Sequence, residues 1–269
     1  MAKSKKKKKN NEENKGLLTM ISVLLCLIAL VIGFAGGFFY KMMDPSEEVV
    51  PVSAEADIPA EVPASEQLFI DSTVIDSYYQ VINRSHPISE NYVAGSGELV
   101  SVENEKQLEK KAAEALAPML EALRAEGMDI IVQSGYRTDS DQEYLYDRQI
   151  ERQNGDELKA ATISAVPLTS EHQAGLAVDL SVDGSLTEEF GSTPQGKWLY
   201  AHCAEYGFIL RYPAGKEEIT GIISEPWHFR FVGSPEQAKA IMESGLCMEE
   251  YFGKELRAED IDPYLPYLK

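Results

Sequence analysis

The apolar positions of this chain change spacing along its length, and each change predicts a different element. Residues 16–40 form an apolar stretch with no charged side chain, long enough for a bilayer-spanning helix, which needs roughly 20 apolar residues. Over 104–126, Leu108, Ala112, Ala115, Leu116, Met119, Leu120 and Leu123 fall at helical spacing, and Gly127 follows as a C-terminal stop. This predicts an amphipathic helix with one face in a core. The run 129–133 (DIIVQ), bounded by Ser134 and Gly135, reads as a short buried strand leading into a loop that carries Tyr136 and Arg137. A polar helix is expected over 139–153, stopped by Asn154 and Gly155. Residues 176–182 and 227–232 read as strands. Thr193 and Pro194 open a helix that Gly207 closes, and Ser234, Pro235 and Gln237 begin another that ends before Gly245. Strands interspersed with helices, without a βαβ period or a phosphate loop, predict an α+β fold. The expected form is a small, mainly antiparallel sheet flanked by helices and preceded by one N-terminal transmembrane helix.

Length and charge add a division of the chain. The 269 residues suit one folded domain with accessory segments. A basic tail is expected over 1–15, a membrane anchor over 16–40, a spacer over 41–65 and the folded domain over 66–269. The net charge of -19 is unevenly spread: through Lys41 eight Lys stand against Glu12 and Glu13, a local +6, which leaves -25 for the rest. By the positive-inside rule the lysines keep the amino end in the cytoplasm, so the domain is expected outside it on a single-pass membrane protein. A cleaved signal peptide is the alternative, but its apolar region would run about 7–15 residues with a small-residue cleavage site close behind, and neither feature is clear here. Pro45, Pro51, Pro59 and Pro63 mark the spacer as an extended segment. So acidic a domain repels nucleic acid, which is excluded as a partner. Cys26 lies in the apolar stretch, leaving Cys203 and Cys247, whose default reading is buried small apolar side chains and whose alternative is a disulfide.

The candidate chemistry concentrates in residues 170–179 (SEHQAGLAVD) and 225–230 (EPWHFR). In the first, Gly175 permits a turn between His172 and a strand on which Ala177 and Asp179 share a face opposite Leu176, Val178 and Leu180. An Asp in that position is costly unless paired or metal-bound. In the second, Trp227, Phe229 and Phe231 take one face of a strand and His228 the other, while Pro226 forces Glu225 off the regular pleat. His172, Asp179 and His228 would leave one tetrahedral position of a zinc ion free, as a catalytic site requires and a closed structural site lacks. Glu225 is the candidate base for a water attacking a carbonyl carbon. Singly, each His reads as an ordinary structural residue and Asp179 as a salt-bridge partner; the four together point to a site. His86, in a polar loop before Pro87, and His202, on a helix with Leu199, Cys203 and Tyr206 as its apolar face, carry no such pattern.

Four segments in this order, SGYR at 134–137 with Gln142, SEHQAGLAVD at 170–179, YGFILRYP at 206–213 and EPWHFRFVG at 225–233, resemble the VanY-type D-alanyl-D-alanine carboxypeptidases. Their L,D-carboxypeptidase relatives share the pattern, within the wider lysostaphin, carboxypeptidase and hedgehog metallopeptidase grouping. Agreement runs from about Val81 to Tyr251. The resemblance implies a zinc carboxypeptidase that removes the terminal D-alanine from peptidoglycan stem peptides. It implies His172, Asp179 and His228 as zinc ligands, Glu225 as general base, and Arg137 as the group holding the scissile carbonyl or the substrate carboxylate. Ser170, Gln142 and Trp227 fall at positions that line the family's substrate cleft; simple packing is their other reading, and a structural ion pair that of Arg137. Ala174 departs from relatives that often have Thr there. An L,D-carboxypeptidase acting on tetrapeptides and a non-catalytic wall-binding module of the same fold are the alternative functions, and Glu225 argues against the second.

Overall fold

The computed structural model describes residues 77–268. The basic tail, anchor and spacer expected before residue 66 lie outside the described residues, among which no helix is long and apolar enough to cross a membrane.

A two-stranded ribbon, β1 (Leu99–Ser101) and β2 (Gln107–Glu109), precedes α1 (Lys110–Ala125). Strand β3 (Ile131–Ser134), α2 (Asp139–Arg152), α3 (Glu157–Ala161) and β4 (Ala177–Ser181) follow. Next come α4 (Pro194–His202), β5 (Phe208–Tyr212), α5 (Glu217–Thr220) and β6 (Glu225–Phe231). Helices α6 (Pro235–Ser244), α7 (Met248–Tyr251) and α8 (Ala258–Ile261) complete the order. Strands β3, β4, β6 and β5 lie side by side in that order, each neighbouring pair antiparallel, so the fold is α+β with an antiparallel sheet.

The sheet has one apolar and one polar face, as the alternation in β4 and β6 predicts. Val178 and Leu180 join Phe229, Phe231 and the α1 residues Ala112, Leu116, Met119, Leu120 and Leu123 in one buried core. Burying each Leu stabilises by about 1.5–3 kcal/mol. Asp179, His228, Arg211 and Arg230 belong to the opposite side of their strands and are also buried. A second cluster, Val81, Ile209, Val232, Ala238, Ile241 and Met248, holds α6 against the β5 edge.

The predicted elements are recovered with shifted boundaries. The helix expected from 104 begins at Lys110, because Asn104 and Glu105 take positive φ of 54° and 59° and the chain then runs as β2. Leu108, at helical spacing in the sequence, is a strand residue. Glu109 makes the start of α1: its carboxylate accepts from the backbone N–H of Lys111 and Ala112 and from the Tyr78 hydroxyl. Thr138 and Asp141 form the capping box of α2. The helix opened by Pro194 ends at His202 and continues as a 3₁₀ turn, Cys203–Tyr206, before Gly207. Cys203 and Cys247 are both buried free thiols, as their default reading has it.

Candidate metal centre

Local backbone geometry brings the site together. Strand β3 ends at Ser134, and the loop after it passes so close to β2 that a Cβ at Gly135 would run into the carbonyl oxygen of Gln107. The Gly135 carbonyl then accepts a 2.7 Å hydrogen bond from His172 Nδ1. His172 stands on a 3₁₀ turn, Glu171–Ala174, which Gly175 ends with φ 73° before the chain enters β4. In the sheet register Asp179 pairs with His228 on one side and with Ser134 on the other. Between β5 and β6, Leu210 pairs with Phe229 but Tyr212 with Glu225, so β6 bulges just before His228. Pro226, which has no N–H for a ladder, lies in that bulge.

His172, Asp179 and His228, all buried, each offer a ligand atom within 4.8 Å of the other two. His172 Nε2 lies 3.2 Å from Asp179 Oδ2, and His228 Nδ1 lies 3.1 Å from Asp179 Oδ1. The ring nitrogens that face away are both anchored: His172 Nδ1 on the Gly135 carbonyl, and His228 Nε2 on Glu171 Oε2 at 3.3 Å. Metal-binding His residues typically need this outer bond to fix ring and tautomer. Two imidazoles and a carboxylate are a donor set that suits zinc, so the residues fit the ion.

Electrostatics prepare the same atoms. Burial and the neighbouring Arg137 pull His172 down to about 4, so its ring is neutral. Burial alone would raise Asp179, but His172 and His228 outweigh it and hold the carboxyl well below its usual value. Burial would lower His228, yet its hydrogen bonds to Asp179 and Glu171 push it up to about 9. Glu225, its side chain 12 % exposed and Oε2 3.6 Å from His228 Nδ1, is pushed up to about 8, mainly by burial.

These groups open onto a cleft of about 370 Å³ whose walls include Arg137, Ser170, Glu225 and Trp227. Arg137 is held in a fixed plane: Nε and Nη2 donate to Ser134 Oγ, Nη2 to Asp179 Oδ2 at 3.0 Å, and Nη1 to Gln142 Oε1 at 3.2 Å. It therefore forms the ion pair of its structural reading while still lining the cleft. Gln142 is placed differently from the other expected cleft residues. It is fully buried behind Arg137, and its amide nitrogen donates to the Ala165 carbonyl. Trp227 is 9 % exposed, one side in the core and one on the cleft.

Sequence reasoning missed the layer beneath. Glu171 Oε1 accepts from Arg211 Nε at 2.6 Å and from Arg230 Nη1 at 2.7 Å, and Arg211 donates twice more to Glu249. All four side chains are buried. Two cations offset two anions, and burial, which would raise Glu171, is outweighed by Arg211 and Arg230, which hold it well below its usual value. The available signal was an Arg inside each of two apolar strands, FILRY and WHFRF.

Residues 105–234 match the family model described as VanY: D-alanyl-D-alanine carboxypeptidase. A D-alanyl-D-alanine carboxypeptidase of Enterococcus faecalis (strain ATCC 700802 / V583) is 38% identical over 182 residues, covering 65% of this chain and 65% of that one. A bifunctional D-Ala-D-Ala dipeptidase and D-Ala-D-Ala carboxypeptidase of Enterococcus gallinarum is 34% identical, covering 64% of this chain and 92% of its own. The chain spans less than two thirds of the E. faecalis relative and 66% of a Bacillus subtilis (strain 168) relative. Among solved structures, a mutant of the vancomycin-resistance D,D-pentapeptidase VanY in complex with Zn(II) matches with TM-score 0.57 and 38% identity, over 65% of this chain and 98% of that one. The LdcB LD-carboxypeptidase matches with TM-score 0.59 and 36% identity, over 67% and 87%. With the family match over 105–234 spanning every segment that builds the metal centre, and a relative 34% identical covered over 92% of its length, the chain belongs to the VanY family of D-alanyl-D-alanine carboxypeptidases.

Proposed function

We propose that this chain is a zinc-dependent carboxypeptidase that hydrolyses the C-terminal D-alanine from peptidoglycan stem peptides. The observation that carries this reading is the convergence of two imidazoles and Asp179 at the floor of a cleft, with Glu225 3.6 Å from His228. The names of the relatives and the Zn(II) complex of a family member support it.

His172 Nε2, His228 Nδ1 and Asp179 would hold the ion. Zinc supplies a Lewis acid and lowers the pKa of water to about 7. Glu225 takes the proton of the water that attacks the scissile carbonyl carbon and passes it to the departing amine of D-alanine. A carboxylate beside the metal ligands and open to the cleft is placed for both halves of that transfer. Arg137, already fixed by Ser134, Gln142 and Asp179, presents its guanidinium to the carbonyl oxygen or the terminal carboxylate without having to be ordered first. Ser170 adds a hydroxyl to the cleft and Trp227 an apolar wall; Gln142 acts through Arg137.

The charge-free stretch over 16–40 between a lysine-rich and an acidic flank supports a retained membrane anchor, with the domain held outside the cytoplasm where stem peptides are found. The protein stays with membranes through a high-salt wash in this reading; recovery of a shortened, soluble form would support cleavage instead.

The test is incubation of the zinc-loaded protein with a defined pentapeptide ending in D-Ala-D-Ala and a tetrapeptide ending in one D-alanine, followed by mass spectrometry. Release of D-alanine from the pentapeptide is expected. Release from the tetrapeptide alone would move the chain to the L,D activity of its LdcB neighbour, and release from neither would leave the wall-binding reading.

A further inference from the structure

The cleft is longer than removal of one residue requires. Beyond Arg137 it continues along α2, where Leu145, Gln149 and Arg152 line it together with Ile163 and Ile223. Leu145, Gln149 and Arg152 follow one another at intervals of four and three, so they share a helix face. From Gln142, beneath Arg137, to Arg152 the helix rises about 15 Å at roughly 1.5 Å per residue. An extended peptide covers about 3.3–3.6 Å per residue, so this arm has room for about four residues.

Two side chains in the arm have no partner. Gln149 is 8 % exposed and lines the cleft, and its side-chain amide, which makes no hydrogen bond to the described residues, keeps its polar atoms accessible. An accessible amide in a cleft wall offers both a donor and an acceptor to a ligand. Arg152, exposed at the far end of the arm, makes neither an ion pair nor a side-chain hydrogen bond among the described residues, in a protein of net charge -19. A cation in the last turn of α2 also suits the helix dipole, but that role does not require the side chain to line the cleft. An unpaired amide, two aliphatic walls and a free guanidinium along one cleft match a peptide backbone followed by an anionic group. Because a carboxypeptidase releases a single residue, an arm of this length can be filled only from the acyl side of its substrate.

We propose, resting on the function above, that the α2 arm is a recognition subsite for the acyl part of the stem peptide. Gln149 pairs with a backbone amide, and Arg152 pairs with a carboxylate carried three or four residues before the C terminus.

The test uses two pentapeptides ending in D-Ala-D-Ala that differ only at the second residue, which carries a free carboxylate in one and the corresponding amide in the other. D-alanine release by the zinc-loaded full-length protein gives kcat/KM for each. Wild type is expected to favour the acid by roughly 3–10-fold, the range for a partly exposed charge-assisted pair, chiefly through KM. Arg152→Gln brings the ratio to about one, Arg152→Glu inverts it, and Arg152→Lys keeps most of it. Gln149→Leu raises KM for both peptides and leaves the ratio in place. A merely structural Arg152 would lower both rates together, so an unchanged ratio in Arg152→Gln overturns the subsite. A change in C-terminal residue preference instead of the ratio overturns it as well, by placing the arm on the leaving side. Failure of wild type to release D-alanine from either peptide would overturn the functional reading, and the subsite with it.

Discussion

Glu171→Gln separates the charge network beneath the site from the ordering of His228. Glu171 is fully buried, with Arg211 Nε at 2.6 Å, Arg230 Nη1 at 2.7 Å and His228 Nε2 at 3.3 Å. Gln has nearly the same volume, so the change is one of charge rather than packing. Removing one partner of a buried ion pair costs about 3–5 kcal/mol, because the other charge stays behind uncompensated. Arg211 keeps Glu249, and Arg230 keeps three backbone carbonyls, of Phe231, Tyr78 and Gln80, which places the loss at the lower end, about 3 kcal/mol. For a domain of this size that lowers Tm by about 6–12 °C, at roughly 2–4 °C per kcal/mol. The second effect is on the metal: with a neutral amide in place of the carboxylate, the imidazole loses the anionic acceptor on Nε2, and zinc affinity should fall about 10–100-fold. Glu249→Gln is the comparison, since it also takes an anion from Arg211 but makes no contact with His228. It should lower Tm by a similar amount and leave zinc affinity unchanged. Thermal melts in chelator measure the first effect, and chelator competition at a temperature where both variants are folded measures the second. Equal zinc affinities in the two variants would refute the anchoring of His228 by Glu171, and an unchanged melt would refute the energetic role of the network.

Three further outcomes are expected. His172→Ala or His228→Ala should abolish zinc binding, read by metal analysis of the purified protein, together with D-alanine release. Glu225→Gln should keep zinc and fold while kcat falls by roughly 10²–10⁴-fold, whereas Arg137→Lys, which loses the planar fork to Ser134 and Asp179, should keep zinc and raise KM or lower kcat; steady-state kinetics beside zinc analysis distinguishes both from the ligand variants. Burial pushes the thiols of Cys203 and Cys247 up to about 12, so neither should react with a thiol reagent in the native protein at neutral pH, and both should react after denaturation.

What the sequence determined by itself is local chemistry. The polar helix α2 and its stop at Asn154 and Gly155, the alternation of β4 and β6, the glycine stops, and the pairing of His172, Asp179, His228 and Glu225 in two short segments are all legible because each depends on neighbours a few residues away. Periodicity misled at Leu108, where the same apolar spacing serves a strand that becomes one by pairing with β1. The FILRY segment of β5 shows no role in the sequence alone, because it acquires one when Arg211 meets Glu171 and Glu249, 40 and 38 positions away in the chain. Gln142 was expected on the cleft wall and stands behind it, holding Arg137, a distinction set by which side of α2 faces Ala165. Tertiary structure decided the outer bonds of both imidazoles, the raised proton affinity of Glu225 and the arm beyond Arg137. Each of these comes from burial and from contacts between distant segments, and a buried charge becomes tolerable only when the fold brings its opposite beside it.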